Sequence, residues 1–259
     1  MKESQGDSKK IFCGKKALVV GGSGGIGAEI SLLLAENGAD LVIHGAHNGE
    51  KLNSLSEKIQ KITGKNPEVI IYDFFKNDFN DFDKSPLFSQ AKNCDILILA
   101  FGPFLQKSLD QTSLEDWKNL SLLNYALPGS LLSRSLPHMC KNAWGRILLF
   151  GGTGTSFRRE FSTNAAYAGA KAGLNVLVNS VALEYAQFGI SCNLICPGFT
   201  KTEYISDQAE KVMAEKMPSK KMISAKRVAE SALFLLKNAD INGETLRLDC
   251  GWSPVKNAK

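Results

Sequence analysis

Ala17-Leu-Val-Val20-Gly21-Gly-Ser-Gly-Gly25-Ile-Gly27 is the stretch on which the reading of the fold turns. Four apolar residues run without interruption into a glycine turn. Ile30, Leu33 and Leu34 then recur at helical spacing as far as Asn37-Gly38. Each glycine has a physical reason in such a strand–turn–helix unit. Gly21 permits the tight turn, Gly25 lets backbone approach a pyrophosphate, and Gly27 lets the helix pack on the strand. The helix N-terminus offers free N–H groups and a partial positive charge to an anion. The plain alternative is an ordinary strand–helix turn with convenient glycines.

Outward from this unit the chain alternates. Apolar runs at 17–20, 41–44, 69–72, 95–100, 146–150, 190–195 and 244–248 read as strands. Helical patterns separate them at 50–62, 113–141 (with a kink risk at Pro128), 203–216 and 226–237, and one more helix runs on from Asn164. Alternation of this kind predicts an α/β domain, a doubly wound parallel sheet with helices on both faces. No repeat, linker or low-complexity segment divides it. Residues 1–12 read as a flexible tail and 13–259 as one domain.

Composition narrows the classes. With 44% hydrophobic and 22% charged residues the chain is an ordinary globular protein. The net charge of +5 is not interleaved with aromatics, so it predicts no nucleic-acid partner. No apolar run approaches the ~18 residues of a membrane span, and the polar N-terminus is not a signal peptide. The six cysteines form no C-x-x-C pair and the three histidines complete no metal site. Reduced thiols and a cytoplasmic location are expected, with no bound metal.

Chemistry enters at Asn164-Ala-Ala-Tyr167-Ala-Gly-Ala-Lys171-Ala-Gly173. Leu174, Leu177, Val178 and Val181 continue it at three- and four-residue steps, giving an amphipathic helix. Tyr167 and Lys171, four apart, project from one face. Small neighbours leave room for something bulky against that face. A phenol ionises at ~10, and a nearby ammonium favours the phenolate, so the pair can exchange a proton near neutrality. The bland alternative is a core tyrosine beside a solvated lysine.

Taken together, Gly21-x-x-x-Gly25-Ile-Gly27, Asn124, Tyr167-x-x-x-Lys171 and Pro197-Gly198 resemble the short-chain dehydrogenase/reductases. Asp73, Pro197-Gly-Phe-Thr-Lys-Thr202, Ile241-Asn-Gly-Glu244 and Asp249-Cys-Gly251 extend the likeness over about 14–252. The resemblance implies seven parallel strands carrying NAD or NADP. It implies Tyr167 as general acid/base, Lys171 binding the nicotinamide ribose and lowering the Tyr167 pKa, and Asn124 holding a water that relays protons. By the same resemblance Gly21, Ser23, Gly25, Ile26, Gly27, His47, Asp73, Phe74, Phe101, Gly102, Pro197, Gly198 and Thr202 would contact the cofactor. A homotetramer, or a homodimer, is the implied assembly.

The departures are informative. The serine that polarises the substrate carbonyl in the family falls at Gly152, so Thr153, or Thr155 beyond it, would have to supply that hydroxyl. Leu99-Ala-Phe-Gly102 replaces N-N-A-G, and Val20 stands where a threonine is usual. The second strand ends in His44-Gly-Ala-His-Asn48, with no acid to hold a ribose and repel a 2′-phosphate. With His47, Asn48 and Lys51 nearby, NADP(H) is favoured over NAD(H). Phe199, Tyr204, Ile205, Val212, Met213 and Met217 suit an apolar or acyl carbonyl substrate, or ordinary helix packing. The 3-oxoacyl-carrier-protein reductases are similar in pattern, but their carrier-docking cations align with Ala143 and Phe188. Two functions stay open, a carbonyl reductase or alcohol dehydrogenase, and a cofactor-binding sensor with a degenerate site.

Overall fold

The computed structural model describes residues 10–46, 49–77 and 79–252. The opening run forms β1 (Lys16–Val20), whose side chains alternate between two halves of the core. Leu18 and Val20 enter one half, Ala17 and Val19 the other. That is the pattern of a strand buried on both faces. The strands that follow are β2 (Asp40–Gly45), β3 (Glu68–Ile71), β4 (Ile96–Leu99), β5 (Gly145–Phe150), β6 (Ile190–Pro197), β7 (Thr200–Lys201), β8 (Ile223–Ser224) and β9 (Thr245–Leu248). Seven of them make one parallel sheet in the order β3-β2-β1-β4-β5-β6-β9. The short β7 and β8 pair separately.

The helices are α1 (Gly25–Glu36), α2 (Gly49–Thr63), α3 (Pro86–Ala91), α4 (Leu114–Ser121), α5 (Leu127–Lys141), α6 (Ala165–Tyr185), α7 (Asp207–Lys216) and α8 (Ala225–Lys237). Apolar faces of α1, α2 and α8 close one side of the sheet, through Ile30, Leu34, Leu52 and Val228. On the other side α3, α5 and α6 bury Leu87, Leu131, Leu174 and Val178. The expected α/β architecture is therefore present. The chain builds outward from β1 in one direction, then returns to place β4 on its other side. A crevice at such a switch point, beyond the strands' C-terminal ends, is where open α/β sheets bind ligands. Gly21, Gly102, Gly152 and Gly198 all lie just past those ends.

Several local expectations need correction. The tail does not extend to residue 12, because Phe12 is fully buried, with its ring edge-on to Trp144 at 6.5 Å between centroids. Residues 1–9 lie outside the described residues. The rod at 113–141 is two helices joined by a π-turn, Leu122–Ala126. Pro128 sits in the first turn of α5, where its missing N–H costs little, so the irregularity falls on Asn124 instead. The helix expected from 203 begins at Asp207, where the Ser206 hydroxyl accepts the Ala209 N–H at 3.3 Å.

Candidate active site

The glycine turn is shaped as its sequence required. Gly21 has φ +83°, and a β-carbon there would lie 2.7 Å from Ala100 O. A β-carbon on Gly27 would fall onto Gly21 O, so only glycine lets α1 approach β1 this closely. His44 braces the turn from beneath. It is fully buried, its Nδ1 accepting the Gly21 N–H at 3.2 Å while Nε2 bonds Tyr72 O at 2.8 Å. Burial pushes its pKa down to about 4, so the ring is neutral at pH 7. His47, the expected 2′-phosphate neighbour, and Asn48 lie outside the described residues.

The remaining expected cofactor contacts gather along the same edge. Ser23 packs under Gly45, at the end of β2, and Ile26 lines the cavity described below. Asp73 is buried, its Oδ1 accepting the Phe75 N–H at 2.9 Å. The Phe74 ring meets those of Phe101 at 4.8 Å and His44 at 5.0 Å, so its side chain belongs to the core. Pro197 ends β6 and Gly198 follows it, and Thr202 reaches across to Gly25. One contact had no signal in the sequence. The carboxylate of Glu203, 178 positions from Gly25, accepts the Gly25 N–H at 3.1 and 3.2 Å. Lys51 pairs with that carboxylate at 3.2 Å and lies 3.7 Å over the Tyr204 ring. The strand-end glycines and the helix N-terminus fit a dinucleotide once Glu203 gives up this N–H.

Tyr167 and Lys171 occupy successive turns of α6, and Asn124 approaches from the π-turn. Gly173, on another face of the helix, fits directly under the Tyr125 ring. Lys171 is buried and donates to Phe150 O at 2.8 Å and Phe101 O at 3.5 Å. Asn124 is fully buried and gives an N–H to Pro103 O at 3.0 Å, while its Oδ1 accepts no hydrogen bond among the described residues. A β-carbon on Gly102 would strike that Oδ1 and lie 2.7 Å from Lys171 Nζ. Two polar groups therefore converge under one glycine, at the bottom of the crevice. Burial drops the Lys171 pKa to about 8. Burial also raises the Tyr167 phenol to about 12, with the nearby Cys196 side chain adding to it. The expected lowering of the phenol is absent because Lys171 points to backbone carbonyls and desolvation dominates. At neutral pH this phenol carries its proton.

Beside Tyr167 the missing serine has left its mark. A β-carbon on Gly152 would lie 2.8 Å from Tyr167 Oη and 2.9 Å from its Cε1. The tyrosine ring thus occupies space that any side chain at 152 would need. Thr155 is buried, its hydroxyl donating to Gly152 O at 2.9 Å and accepting the Gly152 N–H at 3.0 Å. Thr153 lines the cavity and donates to Pro197 O at 3.0 Å. The cavity holds about 660 Å³, with Tyr167 and Gly152 in its wall and Phe104, Phe199, Met213 and Trp252 around them. Phe104 meets the Tyr167 ring edge-on at 5.0 Å.

A sequence profile described as enoyl-(acyl carrier protein) reductase matches residues 21–253. The chain belongs to the short-chain dehydrogenase/reductase family. Within the family it is 27% identical to a D-β-hydroxybutyrate dehydrogenase of Rhizobium meliloti, over 92% of this chain and 98% of the relative. It is 28% identical to a 3-oxoacyl-[acyl-carrier-protein] reductase of Aquifex aeolicus, over 92% and 97%. A solved structure titled short chain dehydrogenase/reductase family protein superposes with a TM-score of 0.82 at 26% identity, covering 94% of this chain and 99% of that one. Like its relatives, this dehydrogenase/reductase is an NAD(P)-dependent oxidoreductase acting on CH–OH or C=O groups. No helix among the described residues is long and apolar enough to cross a membrane, and no cluster there could hold a metal.

Proposed function

We propose that the protein reduces the carbonyl of a small acyl compound with NADPH. The observation that carries this reading is that Tyr167 lines the cavity, one helical turn from the buried Lys171, whose ammonium and Asn124 Oδ1 both crowd Gly102. The nicotinamide would supply the hydride. Tyr167, protonated at neutral pH, would give its proton to the oxygen as negative charge develops there. Lys171 would bond the ribose, and Asn124 Oδ1, buried and unbonded, would hold the water that returns a proton. Thr153 would stand in for the missing serine, a reading supported by its place in the cavity wall and requiring its hydroxyl to leave Pro197 O.

The turn residues, with Asp73, Phe74, Phe101, Gly102, Pro197, Gly198 and Thr202, would hold the nucleotide. The acid-free end of β2 favours a 2′-phosphate. The two relatives' names, a β-hydroxybutyrate dehydrogenase and a 3-oxoacyl reductase, support a 3-oxo or 3-hydroxy acyl substrate. The test is fluorescence titration with NADPH and NADH, followed by turnover with a carbonyl panel. Tyr167→Phe is expected to abolish turnover and leave nucleotide affinity within a few-fold. Wild-type turnover by that variant would refute the assignment. Tight nucleotide binding with no turnover would favour the sensor reading, which Gly152 supports.

A further inference from the structure

We propose that the substrate is an oxo acid, with a free carboxylate as well as the reacting carbonyl, and that Arg158 receives that carboxylate. This rests on the reductase reading above. The cavity wall contains two cations, Arg158 and Lys216, and no aspartate or glutamate. About half of the remaining wall is aromatic or aliphatic, with Gln106, Thr153, Ser162, Asn164 and Thr200 among its polar, uncharged members.

Arg158 is fixed in this wall. It lies on the segment at 151–164 that joins β5 to α6 and so leads directly into Tyr167. Gly154, with φ +79°, makes the turn; its carbonyl accepts the N–H groups of Phe157 at 3.2 Å and Arg158 at 2.9 Å. A β-carbon on Gly154 would lie 2.7 Å from Arg158 Cδ, so the turn is folded tightly against the arginine stem. The guanidinium stands 5.4 Å from the Phe161 ring. It is half-buried and has no ion pair or side-chain hydrogen bond among the described residues.

Two other arginines are engaged away from the cavity. Arg146 donates to three backbone carbonyls, and Arg134 pairs with Asp83 at 2.7 Å. Among the described residues Arg158 is the arginine that lines the cavity, and its planar fork of donors has no partner there. Such a fork matches a carboxylate with two parallel hydrogen bonds. In the reaction C3 gains the hydride from the reduced nicotinamide and its oxygen gains the Tyr167 proton. The carboxylate keeps its charge throughout, so Arg158 orients the substrate and takes no part in the proton transfer.

The experiment compares short 3-oxo acids with their methyl esters, which keep the carbonyl and remove the charge. Wild-type kcat/KM should favour each acid over its ester by about tenfold or more, the scale of one charge-assisted hydrogen-bond pair. Arg158→Gln should lower kcat/KM for the acids by about 10- to 100-fold, mainly through KM, and leave the esters within twofold. Esters reduced as well as acids, or equal losses for both in Arg158→Gln, would overturn the proposal while leaving the reductase reading intact. Failure of the wild type to reduce any carbonyl would count against that reading instead. Calorimetric titration of 3-hydroxy acids into NADP-loaded protein then decides the carboxylate site alone. Binding lost in Arg158→Gln supports it, and no binding by the wild type refutes it.

Discussion

Gly152→Ala puts the arrangement of the catalytic tyrosine to a direct test. The added β-carbon would stand 2.8 Å from Tyr167 Oη, 2.9 Å from Cε1 and 3.2 Å from Thr155 Cγ2. Carbon atoms rest ~3.5–4.0 Å apart, so the ring must retreat by more than about half an ångström. Phe104, edge-on at 5.0 Å, limits the retreat. Overpacking a core position typically costs ~1–3 kcal/mol, and the partly accessible ring edge places this change near ~1. That corresponds to a fall in melting temperature of about 2–4 °C for a domain of this size. Catalysis suffers more. A misplacement of about 1 Å can cost ~100-fold, so about tenfold in kcat is expected here. Differential scanning fluorimetry reads the first effect, and NADPH oxidation under saturating substrate reads the second. Nucleotide affinity should not move, because residue 152 faces the tyrosine. Gly152→Ser restores the residue usual in the family, yet it should fall below wild type for the same steric reason. If Gly152→Ala turned over within twofold of wild type, or Gly152→Ser exceeded it, the ring would not be held where the geometry places it.

Two further outcomes are expected. Gly102→Ala drives a β-carbon into Asn124 Oδ1 and to 2.7 Å from Lys171 Nζ, so nucleotide titration should show at least about tenfold weaker binding; unchanged affinity would remove Gly102 from the site. His44 titrates at about 4 when folded and 6.5 when unfolded. A base whose pKa is depressed stabilises the fold fully above 6.5 and loses that contribution as pH falls from 6.5 to 4. Denaturant titrations should show a loss of at most about 3 kcal/mol over that window, and His44→Gln should flatten it.

The sheet was legible because buried parallel strands are almost unbroken apolar runs, as Ile96–Leu99 is. The two-residue strands β7 and β8 were not, since two residues carry no periodicity. The six-residue α3, with Ser85 as its cap and Pro86 at its start, is likewise too short to show a hydrophobic repeat. In the site, Tyr167 and Lys171 could be paired from their spacing alone, because a helix fixes what faces what at four residues. The sign of the Tyr167 shift could not, because it depends on how much water the fold removes and on where Lys171 turns. The role of His44 was hidden for a similar reason. Its partners, Gly21 and Tyr72, come together only when β2 lies in the sheet.

Where a nucleotide's pyrophosphate docks at the Gly25 N–H, as proposed, Glu203 would compete with it for that donor. An incoming pyrophosphate meets a tethered anion, so the observed dissociation constant is the intrinsic one divided by the fraction of molecules in which the carboxylate has left. That divisor is common to every nucleotide. Glu203→Gln should therefore tighten NADPH and NADH alike, by about two- to fivefold for so exposed a group, without changing their ratio. Different factors for the two nucleotides would show that Glu203 reads the cofactor's identity as well. Departure of Glu203 would also release the segment at 202–206, which carries Ile205 of the cavity wall and leads into α7, where Met213 lines the same wall. On that reading substrate binding is expected to follow nucleotide binding, and product-inhibition kinetics showing random order would refute it.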